Sequence, residues 1–330
     1  MRRAILVLLA GLMALAMPAH AETYRLSTGG PPNHPWGYGA RLWADLVAGR
    51  TQGRIVFDVV PGLEQAGVDG MDAFAALSSG AIDAAVGSSL AWSGQVPSLG
   101  LFALPCLIDG PDDLETLVTS PLGETLFGDL RGRGIEPLAW GDAGAWAIAS
   151  RSGPLTRSAD LAGLTLRVPA YPPLREAMMV LGVDPVASDL PMALTQARLG
   201  MIDGIMARLA DLASAARPPA GYNTWTVWPC VAEPLVFAVN RELWLSWPLQ
   251  DRIAVAQAAV EAAIAQARDA RALVRTDAPW LAPAGIRLVR FPPERAATLS
   301  LELGHIRARW AQVVGTDLVL DAQQILMAPR

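Results

Sequence analysis

The chain has 330 residues, a net charge of −5 and 52% hydrophobic residues. That length fits two domains better than one, and the acidic balance gives nucleic acid no electrostatic footing. Every basic side chain other than histidine is arginine, so a lysine Schiff base and a G-x-x-x-x-G-K phosphate loop are both excluded.

Arg2 and Arg3 precede an apolar run from Ala4 to Met17, and Pro18-Ala19-His20-Ala21 follows. This is a basic region, a hydrophobic region and an A-x-A cleavage site. The run is shorter than the ~20 residues that cross a bilayer. The expectation is a signal peptide cut after Ala21 and a soluble periplasmic protein beginning at Glu22. No cysteine stands beside the cut, so no lipid anchor is expected, and Arg2-Arg3 alone does not make a twin-arginine signal.

Residues 24–28 read as a strand, 35–48 as a helix ending at Gly49, and 54–60 as an alternating strand ending at Pro61-Gly62. Residues 68–77 read as a helix and 82–86 as a short buried strand. This βαβαβ order implies a mostly parallel sheet covered by helices. Residues 112–130 read as helices broken at Pro121, and 135–149 as two strands around Gly141 to Gly144.

A second α/β unit follows: strand 164–168, helix 173–181, strand 184–186, helix 191–199 and a turn at Asp203-Gly204. Residues 225–240 read as one long or paired strand. Residues 248–275 form a Pro-led, Ala-rich helix with Ile253, Ala256, Val260 and Ile264 at helical spacing. At 1.5 Å per residue it reaches ~40 Å, long enough to back two lobes. Ligands of such folds sit beyond the C-terminal ends of parallel strands. Arg167, next to Pro169, falls there, and an arginine at a strand end facing a cleft needs a partner that an absent ligand can supply.

Four ordered stretches carry a family resemblance: Pro32-Asn33-His34-Pro35-Trp36 with Gly53-Arg54-Ile55, Ser79-Gly80-Ala81-Ile82-Asp83, Phe102-Ala103-Leu104-Pro105, and residues 160–169 with Met201-Ile202-Asp203-Gly204. Val239-Asn240 follows before the long helix. The chain resembles the DctP-type solute-binding proteins of TRAP (tripartite ATP-independent periplasmic) transporters. The resemblance implies an α/β, two-lobed "Venus flytrap" with the ligand cleft between lobes. Lobe I is expected over 22–144 plus 233–273, and lobe II over 145–232 plus 274–330. It implies delivery of a small organic acid, or a related solute, to small and large membrane subunits, with Arg167 as the carboxylate anchor.

The chain departs from the family pattern at two places. A second arginine is common where this chain has Trp146-Ala147. An asparagine is common where the Asp-Gly turn here continues Ile205-Met206-Ala207-Arg208. Arg208 is new nearby and stands as a compensating candidate.

The ligand-binding candidates are Arg167, Trp36, Trp146, Arg208, Ser88 and Trp228. The planar guanidinium of Arg167 suits a carboxylate; the alternative is a structural pair with an Asp or Glu. Trp36, Trp92, Trp146 and Trp228 suit stacking on a solute, against ordinary core packing. Ser88 and Ser89 end a strand at the cleft, against a solvated loop. Arg208 stands against a surface charge on a helix, and Glu233 against a hinge or surface role. Asn240 is expected to cap the next helix, and His34 to bond within its own loop.

No enzyme signature competes. Only His34 and His305 remain after the leader, no G-x-S-x-G elbow occurs, and Gly37-x-Gly39 lacks a third glycine. No cofactor and no metal are expected. Cys106 and Cys230 are either a disulfide, as an oxidising compartment permits, or two buried thiols. The rivals are a periplasmic sensor subunit of the same fold and a periplasmic hydrolase.

Overall fold

The computed structural model describes residues 22–68, 71–214, 219–275 and 279–328; the leader read at 1–21 lies outside them. In chain order the strands are β1 (Glu22–Thr28), β2 (Ile55–Pro61), β3 (Ala84–Ser88), β4 (Ile135–Asp142), β5 (Trp146–Ser150), β6 (Thr165–Arg167), β7 (Asp184–Val186), β8 (Gly204–Arg208), β9 (Thr224–Trp228), β10 (Pro234–Asn240) and β11 (Arg287–Arg290). They form two sheets, ordered β2-β1-β3-β10-β4 and β11-β9-β5-β8-β6-β7. The parallel pairs β1–β2, β1–β3, β6–β7 and β6–β8 are the expected βαβ units. The two-lobed α/β architecture is therefore the one expected.

Two local expectations are corrected. Residues 225–240 are neither one strand nor a pair: β9 lies in the second sheet and β10 in the first. The segment 229–233 crosses between the lobes, and Cys230, Val231 and Ala232 are buried there, so the apolar run carries on into the crossing as far as Glu233. β4 and β5 likewise lie in different sheets and are joined by a crossing at 143–145. The two crossings are bonded to each other, Ala143 N–H donating to the Glu233 carbonyl at 2.9 Å.

The second correction concerns the long helix, Leu249–Ala272. Its buried face is Val255, Ala258, Ala259, Ala262, Ala263, Gln266 and Ala270. Ile253, Val260 and Ile264 are exposed. Alanine wins the inner face because it lets the helix lie close against β4 and the helix Pro35–Arg50. Gln266, fully buried, accepts from Asp142 N–H at 3.0 Å and donates to the Asp142 carbonyl at 2.8 Å. Arg271 adds an ion pair to the Asp142 carboxylate at 2.7 Å. The long helix thus braces the end of β4 where the chain leaves for the second lobe.

Cys106 and Cys230 form a disulfide, which resolves the open alternative. It ties the loop after the 3-10 segment Pro97–Ala103 to the 229–233 crossing. The helices Gly304–Val314 and Thr316–Met327 pack on that same segment; Thr316–Met327 also packs on Pro111–Thr119, and Gly304–Val314 touches Pro172–Val180. The tail read with the second lobe therefore contacts both lobes.

The approach to the cleft is sterically tight. A Cβ at Gly37 would fall 2.1 Å from the Pro31 carbonyl oxygen, a backbone atom. In an open helix, Gly→Ala stabilises by about 1 kcal/mol. Here Gly37→Ala is expected to reverse that sign and destabilise by ~1–3 kcal/mol through overpacking. A urea denaturation midpoint that rises instead would contradict this packing.

Candidate functional site

β6 is short because Pro169 cannot donate to a ladder. Its last pair is Arg167 with Ile205, whereas β8 continues to Arg208. Arg167 reaches into the step this leaves. Its Nη1 donates to the Met206 carbonyl at 2.7 Å and its Nε to the Ser188 carbonyl at 2.8 Å. Among the described residues no carboxylate forms an ion pair with it. Burial first, and then the charge of Arg208, pull its pKa below the usual arginine value. The expected alternative, a structural pair with an acidic residue, does not occur. The result is a partly buried guanidinium that, among the described residues, has no carboxylate ion pair and no protein acceptor on Nη2.

Arg208 has the opposite surroundings. It is not a surface charge on a helix, as the competing reading had it, but the last residue of β8. In register it faces Trp146 on β5, which in turn faces Trp228 on β9, so the three share one face of the sheet. Its guanidinium lies 4.8 Å from the Trp36 ring centroid and 5.1 Å from that of Trp146, within cation–π reach of an indole from each lobe. Its Nε and Nη2 donate to Glu233 Oε2 and Oε1 at 2.6 and 2.5 Å, and its Nη1 to Asp211 Oδ2 at 3.2 Å. Burial alone would lower its pKa; Glu233 and Asp211 outweigh that and hold it well above the ordinary value.

The carboxylates are committed in turn. Glu233, whose side chain is fully buried, also accepts from the Ser88 hydroxyl. Burial opposes ionisation of Asp211, but the Arg208 charge and the His34 hydrogen bond hold its pKa below the usual aspartate value. His34 Nδ1 accepts from Trp36 N–H at 3.2 Å, which leaves Nε2 to carry the proton and donate to Asp211 at 3.1 Å. His34 is thus the expected local loop bonder and also a contact between lobes. The neighbouring backbone is close as well: a Cβ at Gly29 would lie 2.7 Å from the Trp36 indole. Tyr171, edge-on to Trp146 at 6.3 Å, completes the wall.

The structure therefore brings together Arg167, Arg208, Trp36, Trp146 and Ser88. Ser88 is used internally, since it also caps Ala91 N–H at 2.9 Å. Trp228, though on the same sheet face, packs edge-on to Phe291 at 5.7 Å in the wall of a cavity of about 450 Å³. That cavity is lined by residues of both crossings, Glu233 included, and by Arg271 of the long helix, and not by Arg167, Trp36 or Trp146. Trp92 packs in the core against Phe74, and Asn240 caps Leu243 N–H as expected. Asp211 and Tyr171 were missed. Asp211 lies three residues after Arg208, a spacing that was the only hint available. Among the described residues no group of His, Cys, Asp and Glu suits a metal, and no helix is long and apolar enough to cross a membrane.

A TRAP periplasmic solute-binding protein from Ralstonia eutropha H16, solved with (S)-2-hydroxy-2-methyl-3-oxobutanoate, is 33% identical, with a TM-score of 0.84 over 92% of this chain and 98% of that one. A TRAP periplasmic solute-binding protein from Chromohalobacter salexigens, solved with D-glucuronate, is 22% identical; its TM-score of 0.83 over 92% and 99% of the two chains shows the shared fold. The uncharacterized protein y4mM of Sinorhizobium fredii is 30% identical over 208 residues, 62% of this chain but only 38% of that protein. The model of the bacterial extracellular solute-binding proteins, family 7, matches residues 26–310. With two lobes meeting over an arginine at a strand end and that match across most of its length, the chain belongs to the DctP family of extracellular solute-binding proteins.

Proposed function

We propose that the protein captures a small carboxylate solute between its lobes, with Arg167 as anchor, and delivers it to the small and large membrane subunits of a TRAP permease. The observation that carries this reading is the guanidinium of Arg167, held by two carbonyls and, among the described residues, paired with no carboxylate. A solute carboxylate supplies the missing charge, and Trp36 and Trp146 exclude water from the pair. The indole N–H groups of both tryptophans lack an acceptor, which suits a solute that carries further oxygen atoms. The acid bound by the Ralstonia relative is of this kind. Export by the leader at residues 1–21, cut after Ala21, places the receptor in the periplasm. Lobe closure needs only a few kcal/mol of differential affinity between open and closed forms.

A thermal-shift screen of organic acids, sugar acids, amino acids and neutral aromatics tests the reading. A ligand at 100 times its Kd adds ~2.7 kcal/mol to the native state and raises Tm. Stabilisation by small carboxylates is the expected result; stabilisation by uncharged compounds alone overturns the carboxylate assignment.

A further inference from the structure

Four charged groups converge where the lobes meet: Arg167, Arg208, Glu233 and Asp211. Two are positive and two negative. We infer that Glu233 and Asp211 occupy Arg208 through ion pairs, which leaves Arg167 as the one guanidinium of the four groups open to a solute carboxylate, and that the receptor therefore selects monocarboxylates and rejects dicarboxylates. The inference rests on Arg167 as the solute anchor.

The hydrogen-bond inventory supports it. Both Glu233 oxygens accept from Arg208, and one also accepts from Ser88. Asp211 divides its oxygens between His34 and Arg208. The Arg208 guanidinium also lies over two indoles, those of Trp36 and Trp146. A second carboxylate on the solute would meet an arginine already balanced by two acidic groups, and would be buried without a counter-charge. An ammonium group fares no better, since no oxygen of either carboxylate is left without a donor. What remains for the rest of the solute is neutral chemistry: hydroxyl or oxo oxygens for the indole N–H groups of Trp36 and Trp146, and short alkyl groups for the aromatic wall.

Arg208 would also read, from the sequence, as a second carboxylate clamp making the cleft doubly positive. The structure distinguishes the two roles, because Glu233 lies on the 229–233 crossing and reaches Arg208 through the fold. Glu233 is thus a positioning and charge-setting residue rather than a solute contact.

Calorimetry at pH 7 with 2-oxobutanoate and 2-hydroxy-2-methylbutanoate against succinate and malate tests the inference. The wild-type protein is expected to bind the better monocarboxylate at least about tenfold tighter than either dicarboxylate, a difference of ~1.4 kcal/mol. Glu233→Gln is expected to shrink that ratio about tenfold or invert it, with Asp211→Asn moving it the same way. A purely structural defect weakens both classes alike and leaves the ratio in place. Equal wild-type binding of mono- and dicarboxylates overturns the charge limit while leaving the anchor standing. So does an unchanged ratio in both folded variants. Binding of neutral compounds alone overturns the anchor, and the charge limit with it. The wild-type ratio decides the matter even where a variant fails to fold.

Discussion

Arg167→Ala is expected to weaken carboxylate capture by roughly 100-fold or more, because one partner of a buried charged pair is worth ~3–5 kcal/mol. The same side chain also holds the Ser188 and Met206 carbonyls, so alanine leaves two acceptors unmet at the end of the second sheet. Arg167→Lys separates the two effects. Lysine keeps the positive charge but loses the planar fork, and an intermediate loss of about tenfold is expected. Titration calorimetry gives the affinities, and the melting temperature of each solute-free variant monitors the fold. A folded Arg167→Ala variant with near-normal affinity would remove Arg167 from the site.

Removing the disulfide is expected to have the largest effect on stability. Cys106 and Cys230 are 124 residues apart, and a cross-link over that span restricts the unfolded chain by up to ~5 kcal/mol in the chain-entropy account. Loss of a native disulfide commonly costs ~2–5 kcal/mol. The Cys106→Ser/Cys230→Ser protein should unfold at clearly lower urea concentration than the oxidised wild type. Wild type unfolded under reducing conditions should follow the variant. Identical midpoints for oxidised and reduced wild type would show that the bond adds no net stability.

The elements that were legible in the sequence share a cause: each is a local pattern with a clear stop. Arg167 stood out because an apolar strand ends at a proline, and the structure places it at the strand end as expected. The Arg208–Glu233 pair was not legible. Its members are 25 residues apart in chain order and meet only because β8 ends beside a crossing between lobes. That crossing was itself hidden, since buried apolar residues continue through 230–232 and its one charged residue, Glu233, is buried as well. On the long helix, periodicity pointed to Ile253, Val260 and Ile264, but close helix–sheet contact favoured the alanine face. Hydropathy ranks side chains by size and polarity; it does not register how closely two backbones approach.

The bond between Cys106 and Cys230 has one more consequence. The ring it closes contains β5, β6, β7, β8 and β9, most of the second sheet. A protease that cuts a surface loop within that ring does not release a fragment. The two pieces stay one covalent molecule, held at the crossing between lobes, and separate on a gel only after reduction. A single nick within that ring leaves the two pieces tethered, with their chance to stay assembled intact, whereas one beyond Cys230, before β11 for instance, does not.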